Sequence, residues 1–376
     1  MNSKSKFLFL IPIVYMFCSC KDTLVLEDSR WNKIDSILVS ENDADNFHGA
    51  VVLGTTDKVL FTKYLGISNR IAGDTIDANT IFDMASINKS FAGYMIAIAE
   101  KEERISTDDK LVDLLSEYDY SGQFDSSITI KQMLTHTSGL CDYDGVADSL
   151  KTNGFRAFKK MHFSNAQYVD FISQLKPVAE PGEQLHYSNF AYHLLNIIIE
   201  DIYGQPLNEV LQEKVCEPHG LNSTLNSIDN KEVIENLAIG YNFNYESSEW
   251  VPNEYIDLTL GRRIFTTILD LHKWGQIQSD LGKEFPSLHT NHLENLTNQI
   301  SYGYGWVIYN EGDSYRIGGL DIDKPYIIHG GSTEGYKSIL VNINNGELVV
   351  AIMANSGSRT NENDLLKKIV KSYYLN

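Results

Sequence analysis

Two pairs of apolar segments at opposite ends of the chain constrain its fold most. Gly49 to Gly54 and Lys58 to Gly66 are short apolar runs joined by Thr55, Thr56 and Asp57, which reads as a hairpin. Lys337 to Ile343 and Glu347 to Met353 are alternating or apolar, with Asn344, Asn345 and Gly346 between them, and Asn-Gly is a strong short-range hairpin signal. Trp31, Ile34, Ile37 and Leu38 recur at helical spacing ahead of the first pair, and an amphipathic helix, Leu365 to Tyr374, follows the second. Roughly residues 80 to 290 carry helical patterns such as Phe91 to Ala99 and Phe190 to Ile202. The expected fold is therefore α+β, an α/β sandwich. Both termini build one antiparallel sheet covered by the terminal helices, and a mostly helical region is inserted in the middle.

The chain has 376 residues, 43% hydrophobic and 22% charged, enough to bury a sizeable core and unlike a disordered tail. Fifty acidic against 31 basic side chains give a net charge of −19, which repels phosphate backbones, so nucleic acid is not an expected partner. No CxxC or HExxH spacing occurs, and neither a metal nor a cofactor is expected.

Only the N-terminus is locally basic. Lys4 and Lys6 precede an apolar run from Phe7 to Phe17, the layout of a secretory signal peptide and too short for a bilayer-spanning helix of roughly 20 residues. Ser19 before Cys20 resembles the lipobox of bacterial lipoproteins, so residues 1–19 are expected to be removed and Cys20 lipidated. Lys21 stands where the common inner-membrane retention signal has Asp, which points to the outer membrane. The expected organisation is 1–19 signal peptide, 20–46 linker and helix, and 47–376 one domain. Of the other cysteines, Cys18 leaves with the signal, and Cys141 and Cys216 either pair or remain buried thiols.

Three strings carry chemistry. Asp83 to Lys89 (DMASINK) opens a helical pattern, so Ser86 and Lys89 lie one turn apart on one face. A serine hydroxyl must lose its proton to a neighbour as it attacks, and a lysine can take that proton if burial lowers its pKa. The spacing alone has little specificity, since Ser3 and Lys6 match it within the signal segment. Tyr187-Ser188-Asn189 precedes an apolar helix. A tyrosine there can move a proton if cations lower its pKa from about 10, and Asn189 can bind a substrate amide. His329-Gly330-Gly331-Ser332 places paired glycines beside a strand, where substrate can approach the backbone. The N–H groups of Ser86 and Ser332 are then candidates for an oxyanion hole.

Together these strings resemble the serine β-lactamase and penicillin-binding family, in the branch with class C β-lactamases, D-amino acid peptidases and related esterases. The resemblance runs from about Phe47 to Asn355. It includes Ile128 to Leu140 (ITIKQMLTHTSGL), Thr266-Thr267 leading to Asp270-Leu271, Tyr304-Gly305-Trp306, and Asn345-Gly346 ahead of Val349 to Asn355. It implies a β-lactamase/transpeptidase-like fold, Ser86 as acylated nucleophile, Lys89 as its proton partner and Tyr187 as general base and later acid. Asn189, His329 and Gly331 are then substrate-binding. His329 stands where class C β-lactamases have Lys, and a mostly neutral ring attracts a substrate carboxylate weakly. Arg262 and Arg263 stand where relatives usually have glycine and either restore positive charge or decorate a loop.

The resulting expectation is a serine hydrolase cleaving an ester or amide, of esterase or D-amino acid peptidase type, on a small-molecule or peptide substrate. The alternatives are a β-lactamase or DD-carboxypeptidase, and a non-catalytic penicillin-binding or sensor domain. The latter usually lacks the lysine or tyrosine, and both are present here. An α/β-hydrolase is disfavoured because no G-x-S-x-G occurs. Specificity is expected to lie in the loops around Cys141 to Phe163 and Asp313 to Lys324.

Overall fold

The computed structural model describes residues 21–146, 159, 161–227, 233–253, 263–313 and 319–374, so residues 1–19, Cys20 and Arg262 lie outside the described residues. In chain order the elements that matter begin with helix α1 (Lys21–Asp43), strands β1 (Gly49–Gly54), β2 (Val59–Leu65) and β3 (Ile81–Asp83), and helix α2 (Asn88–Lys101). Helices α3 (Ile130–Leu134) and α4 (Asn189–Tyr203) follow, then strands β4 (Leu225–Ser227) and β5 (Arg263–Thr267) and helix α5 (Ile268–Glu284). The chain returns through β6 (Ser301–Tyr302), β7 (Val307–Tyr309), β8 (Tyr326–Thr333), β9 (Tyr336–Ile343) and β10 (Leu348–Ala354) to helix α6 (Glu362–Tyr374).

The two terminal hairpins join edge to edge, with Gly49 opposite Ala354 and Gly54 opposite Val349. The result is a seven-stranded antiparallel sheet in the order β6-β7-β8-β9-β10-β1-β2. Side chains alternate across each strand, and in β10 both sets are apolar because both faces are covered. Val349, Ala351 and Met353 belong to the core shared with α2 and α5. Leu348, Val350, Ile352 and Ala354 pack against Ile34 and Leu38 of α1 and Leu366, Ile369 and Val370 of α6. Each fully buried branched side chain contributes about 1.5–3 kcal/mol, so this central strand is a major part of what holds the layers together. The turn between β9 and β10 places Asn344, Asn345 and Gly346 in succession at φ of 48°, 54° and 85°. Asn and Gly enter this left-handed region most readily, which is why that short connection closes here.

The inserted region is less helical than its pattern suggests. It contains a second sheet, β3-β5-β4, with Ile81 opposite Thr267 and Leu225 opposite Phe265. Strands of three to five residues are too short to show a period of two against a helical background. Cys141 and Cys216 are both buried free thiols, and burial pushes each up to about 12, which leaves them unreactive.

Candidate active site

The nucleophile candidate sits where β3 meets α2. Asp83 ends β3 and accepts a hydrogen bond from the Ala85 N–H (2.8 Å), Ala85 is held at φ 51°, and Ala85–Ile87 form one 3₁₀ turn before α2 begins. A non-glycine residue at positive φ is strained, and here it precedes a half-buried serine. Strand β8 fixes the other wall. A Cβ on Gly331 would stand 2.6 Å from the Met84 carbonyl oxygen and 2.9 Å from the Ala85 Cβ, so only glycine allows strand and turn to touch. The Ser338 hydroxyl of β9 donates to the same Met84 carbonyl (2.7 Å), tying the sheet to the turn.

The structure brings Ser86, Lys89, Tyr187 and Asn189 together. The Tyr187 hydroxyl donates to Ser86 Oγ (2.8 Å), and Lys89 Nζ lies 3.4 Å from that oxygen and donates to Asn189 Oδ1 (2.7 Å). Lys89 is 2% exposed and also faces the rings of Tyr187 (4.8 Å) and Tyr192 (5.4 Å). Burial lowers its pKa to about 7, against a raising effect of Asp142 and with a further lowering by Arg263. Tyr187 differs from expectation. Burial of its hydroxyl pushes the phenol well above its ordinary value, outweighing the lowering by the Ser86 hydrogen bond and by Arg263. The residue as a whole is 40% exposed, but its hydroxyl is turned to Ser86 Oγ, and the direction follows from the hydroxyl's surroundings. Tyr187 is a neutral phenol at rest.

Ser188, between these two residues, is fully buried and structural. Its side chain caps α4 by accepting from the Ala191 N–H (3.0 Å) and donates to the Cys141 carbonyl (2.8 Å), while its N–H donates to His136 Nδ1 (3.1 Å). His136, held at φ 58°, packs against Tyr187 with ring centroids 4.3 Å apart and the rings tilted by 32°. Burial keeps it neutral, so it supports the tyrosine without adding a charge beside Lys89. Asp142 accepts from Asn189 Nδ2 (2.8 Å), and its other oxygen is buried with no hydrogen-bond partner among the described residues. His136 and Asp142 had no assigned role in the sequence. His136 lies within the string from Ile128 to Leu140, whereas Asp142, two residues beyond it, gives no signal of its own.

His329 and Arg263 require correction. The His329 ring is buried, its Nδ1 donates to the Gly330 carbonyl (2.7 Å) and its Nε2 accepts from the Tyr302 hydroxyl (3.2 Å). Both ring nitrogens are thus engaged within the protein. Burial and then the nearby Lys89 lower its pKa to about 4, so it is uncharged at neutral pH. Arg263 is 3% exposed, and its Nε and Nη2 hold the two oxygens of Asp83 at 3.1 and 2.5 Å. Its charge is felt at Lys89 and Tyr187, but its fork is committed to Asp83.

Ser86, Tyr187, His329, Gly331 and Ser332 line one cavity of about 870 Å³, within the range of roughly 300–1,000 Å³ that accommodates small-molecule ligands. Among the described residues no cluster of three or more His, Cys, Asp or Glu side chains could hold a metal ion.

Known proteins share this arrangement of elements. The chain is 26% identical over 340 residues to penicillin-binding protein 4* of Bacillus subtilis, covering 84% of this chain and 70% of that protein. It is 24% identical over 348 residues to protein flp of Staphylococcus aureus, covering 89% of this chain but only 65% of the relative's length. Among solved structures, the D-amino acid amidase of Ochrobactrum anthropi SV3, complexed with L-phenylalanine amide, superposes with a TM-score of 0.72. Its sequence identity is 19%, with 92% of this chain and 98% of that one covered, a likeness of fold. The family model described as Beta-lactamase matches residues 34–373, and the chain belongs to that family.

Proposed function

We propose that this protein is a serine hydrolase that cleaves an ester or amide through an acyl-enzyme on Ser86. One observation carries the reading: Ser86 Oγ accepts from Tyr187 at 2.8 Å and lies 3.4 Å from a lysine whose pKa is about 7. At neutral pH about half of such lysines are unprotonated. Neutral Lys89 then takes the Ser86 proton as Oγ bonds to the carbonyl carbon, and the carbonyl electron pair moves to oxygen, facing the Ser86 and Ser332 N–H groups. Collapse of this adduct breaks the bond to the leaving group, which takes its proton from the Tyr187 hydroxyl. The Lys89 ammonium restores that proton. Water reverses the sequence and releases the acid. Lys89, and not the high-pKa Tyr187, is the base in this scheme, and Tyr187 is the proton shuttle.

Neutral substrates fit better than carboxylate-bearing β-lactams, because His329 is uncharged and the Arg263 fork is held by Asp83. The complex of the D-amino acid amidase with L-phenylalanine amide supports an amide among the candidates. A non-catalytic role fits poorly with a lysine and a tyrosine both in contact with Ser86 Oγ. Fluorophosphonate labelling tests the reading: wild-type protein is labelled and Ser86→Ala is not. Undiminished labelling of the variant overturns it. The N-terminal features support a second part of the proposal, attachment to the outer membrane through a lipidated Cys20.

A further inference from the structure

The cavity at Ser86 does not stop at the nucleophile's side of the sheet. Strand β7 pairs with β8 only as far as Val307 opposite Ile328, so among the described residues the edge of β8 from His329 onward has no neighbouring strand there. Along β8, His329 and Gly331 face Ser86 and the α2 layer, as their contacts with Tyr302 and Met84 show. Ile328, one residue before His329, packs in the opposite core with Ile339 and α6. Gly330 shares the Ile328 side by alternation and stands directly opposite Ile339 in the ladder. The same cavity that contains Ser86 is lined by Val307, Ile328, Gly330 and Ile339, and ends at Asn363 and Lys367 of α6. It therefore turns around the free edge of β8 and continues onto the far face of the sheet.

Gly330 keeps that turn open. Among the described residues a Cβ built there meets nothing nearer than the Ser338 carbonyl oxygen at 3.9 Å, in contrast to Gly331, where backbone lies within 2.6 Å. Neither a positive φ nor a close approach requires glycine at 330. Among the described residues, the space that a side chain would occupy belongs to the cavity. Walls of Val307, Ile328 and Ile339 offer apolar contact without hydrogen-bonding side chains. The far end is polar, with Glu362, Asn363 and Lys367 in its lining; Lys367 lies 3.9 Å from Asp321 and Glu362 lies 3.8 Å from Lys337, so the apolar stretch is the part between Gly330 and α6.

We propose that this extension seats an extended apolar chain of the substrate, making the preferred substrate an ester or amide with one alkyl-like arm that passes over Gly330. The inference rests on acylation of Ser86 and adds the substrate class. Burial of each methylene should raise kcat/KM about fourfold until the cavity is filled. A 4-nitrophenyl ester series from acetate to octanoate tests an arm on the acyl side, and alkyl thioacetates from methyl to octyl test one on the leaving-group side. All substrates are used below their aggregation concentrations. One series is expected to gain at least roughly a hundredfold in kcat/KM with length. Gly330→Val, which narrows the turn, should reduce the long-to-short ratio of that series by about tenfold or more, and Gly330→Ala by less.

Rates independent of chain length in both series overturn the inference, and so does a ratio unchanged in both glycine variants. The wild-type series needs no variant to fold. Failure of the underlying reading looks different, because then Ser86 is not labelled by a fluorophosphonate and no ester in either series is turned over.

Discussion

Replacing Lys89 by methionine should abolish activity and yet stabilise the fold, by an amount that depends on pH in a defined direction. The amine is 2% exposed, and its pKa falls from 10.5 to about 7 on folding. At 1.36 kcal/mol per pH unit this is an unfavourable contribution of about 5 kcal/mol where the group is protonated in both states. Since the folded pKa is the lower one, the unfolded chain binds more protons between about pH 7 and 10.5, and stability rises with pH across that window. The penalty is complete below pH 7, has fallen to about 2 kcal/mol by pH 9 and vanishes above 10.5. Methionine removes it at every pH but leaves Asn189 Oδ1 without its donor at 2.7 Å, a loss of about 1–3 kcal/mol. Taking about 2 kcal/mol for that loss, Lys89→Met should be more stable than wild type by about 3 kcal/mol at pH 6 and nearly equal to it at pH 9. Urea denaturation of both proteins at the two pH values measures this difference, and contributions from other titrating groups cancel in the comparison. Equal effects at pH 6 and pH 9, or a stabilisation that grows with pH, would refute the assignment of Lys89 as a desolvated, nearly neutral amine.

Two further outcomes are expected. Asp142→Asn removes a charge that holds the Lys89 pKa up, so the rise of the acylation rate with pH should move to lower pH, accompanied by a several-fold loss of kcat as Asn189 loses an ionic acceptor. A lower rate with an unmoved midpoint would mean that Asp142 only supports the loop. Full-length protein should partition into detergent and carry diacylglyceryl mass on an N-terminal peptide beginning at Cys20; a soluble mature protein starting elsewhere rules out lipidation.

What could be read from the sequence depended on whether the controlling interaction is local. The terminal hairpins were legible because strand alternation and the Asn-Asn-Gly turn are properties of a few adjacent residues, and their edge-to-edge joining follows from two sheets' worth of apolar strand needing one core. Ser86 and Lys89 were legible for the same reason, being one turn apart. The groups that set their chemistry were not. Asp142 reaches Lys89 through Asn189, which lies 47 positions away in the chain, and Arg263 reaches Asp83 across 180. No periodicity reports such a contact, and the Arg263 fork turned inward because a buried Asp83 carboxylate needs a buried partner.

His329 shows the boundary between the two kinds of information. Alternation along β8 places it with Gly331 on the Ser86 side, but nothing local says that Tyr302, 27 residues earlier, would occupy its outward nitrogen. With that nitrogen bonded to Tyr302, the ring offers substrate less than a free imidazole would, and the proposed substrate arm passes over the residue after it. Gly330 reads as half of a glycine pair, although only Gly331 is required by close packing. For the proposed arm Gly330 matters for what it leaves empty, and emptiness next to a strand becomes visible only when the pairing with β7 is seen to stop at Val307.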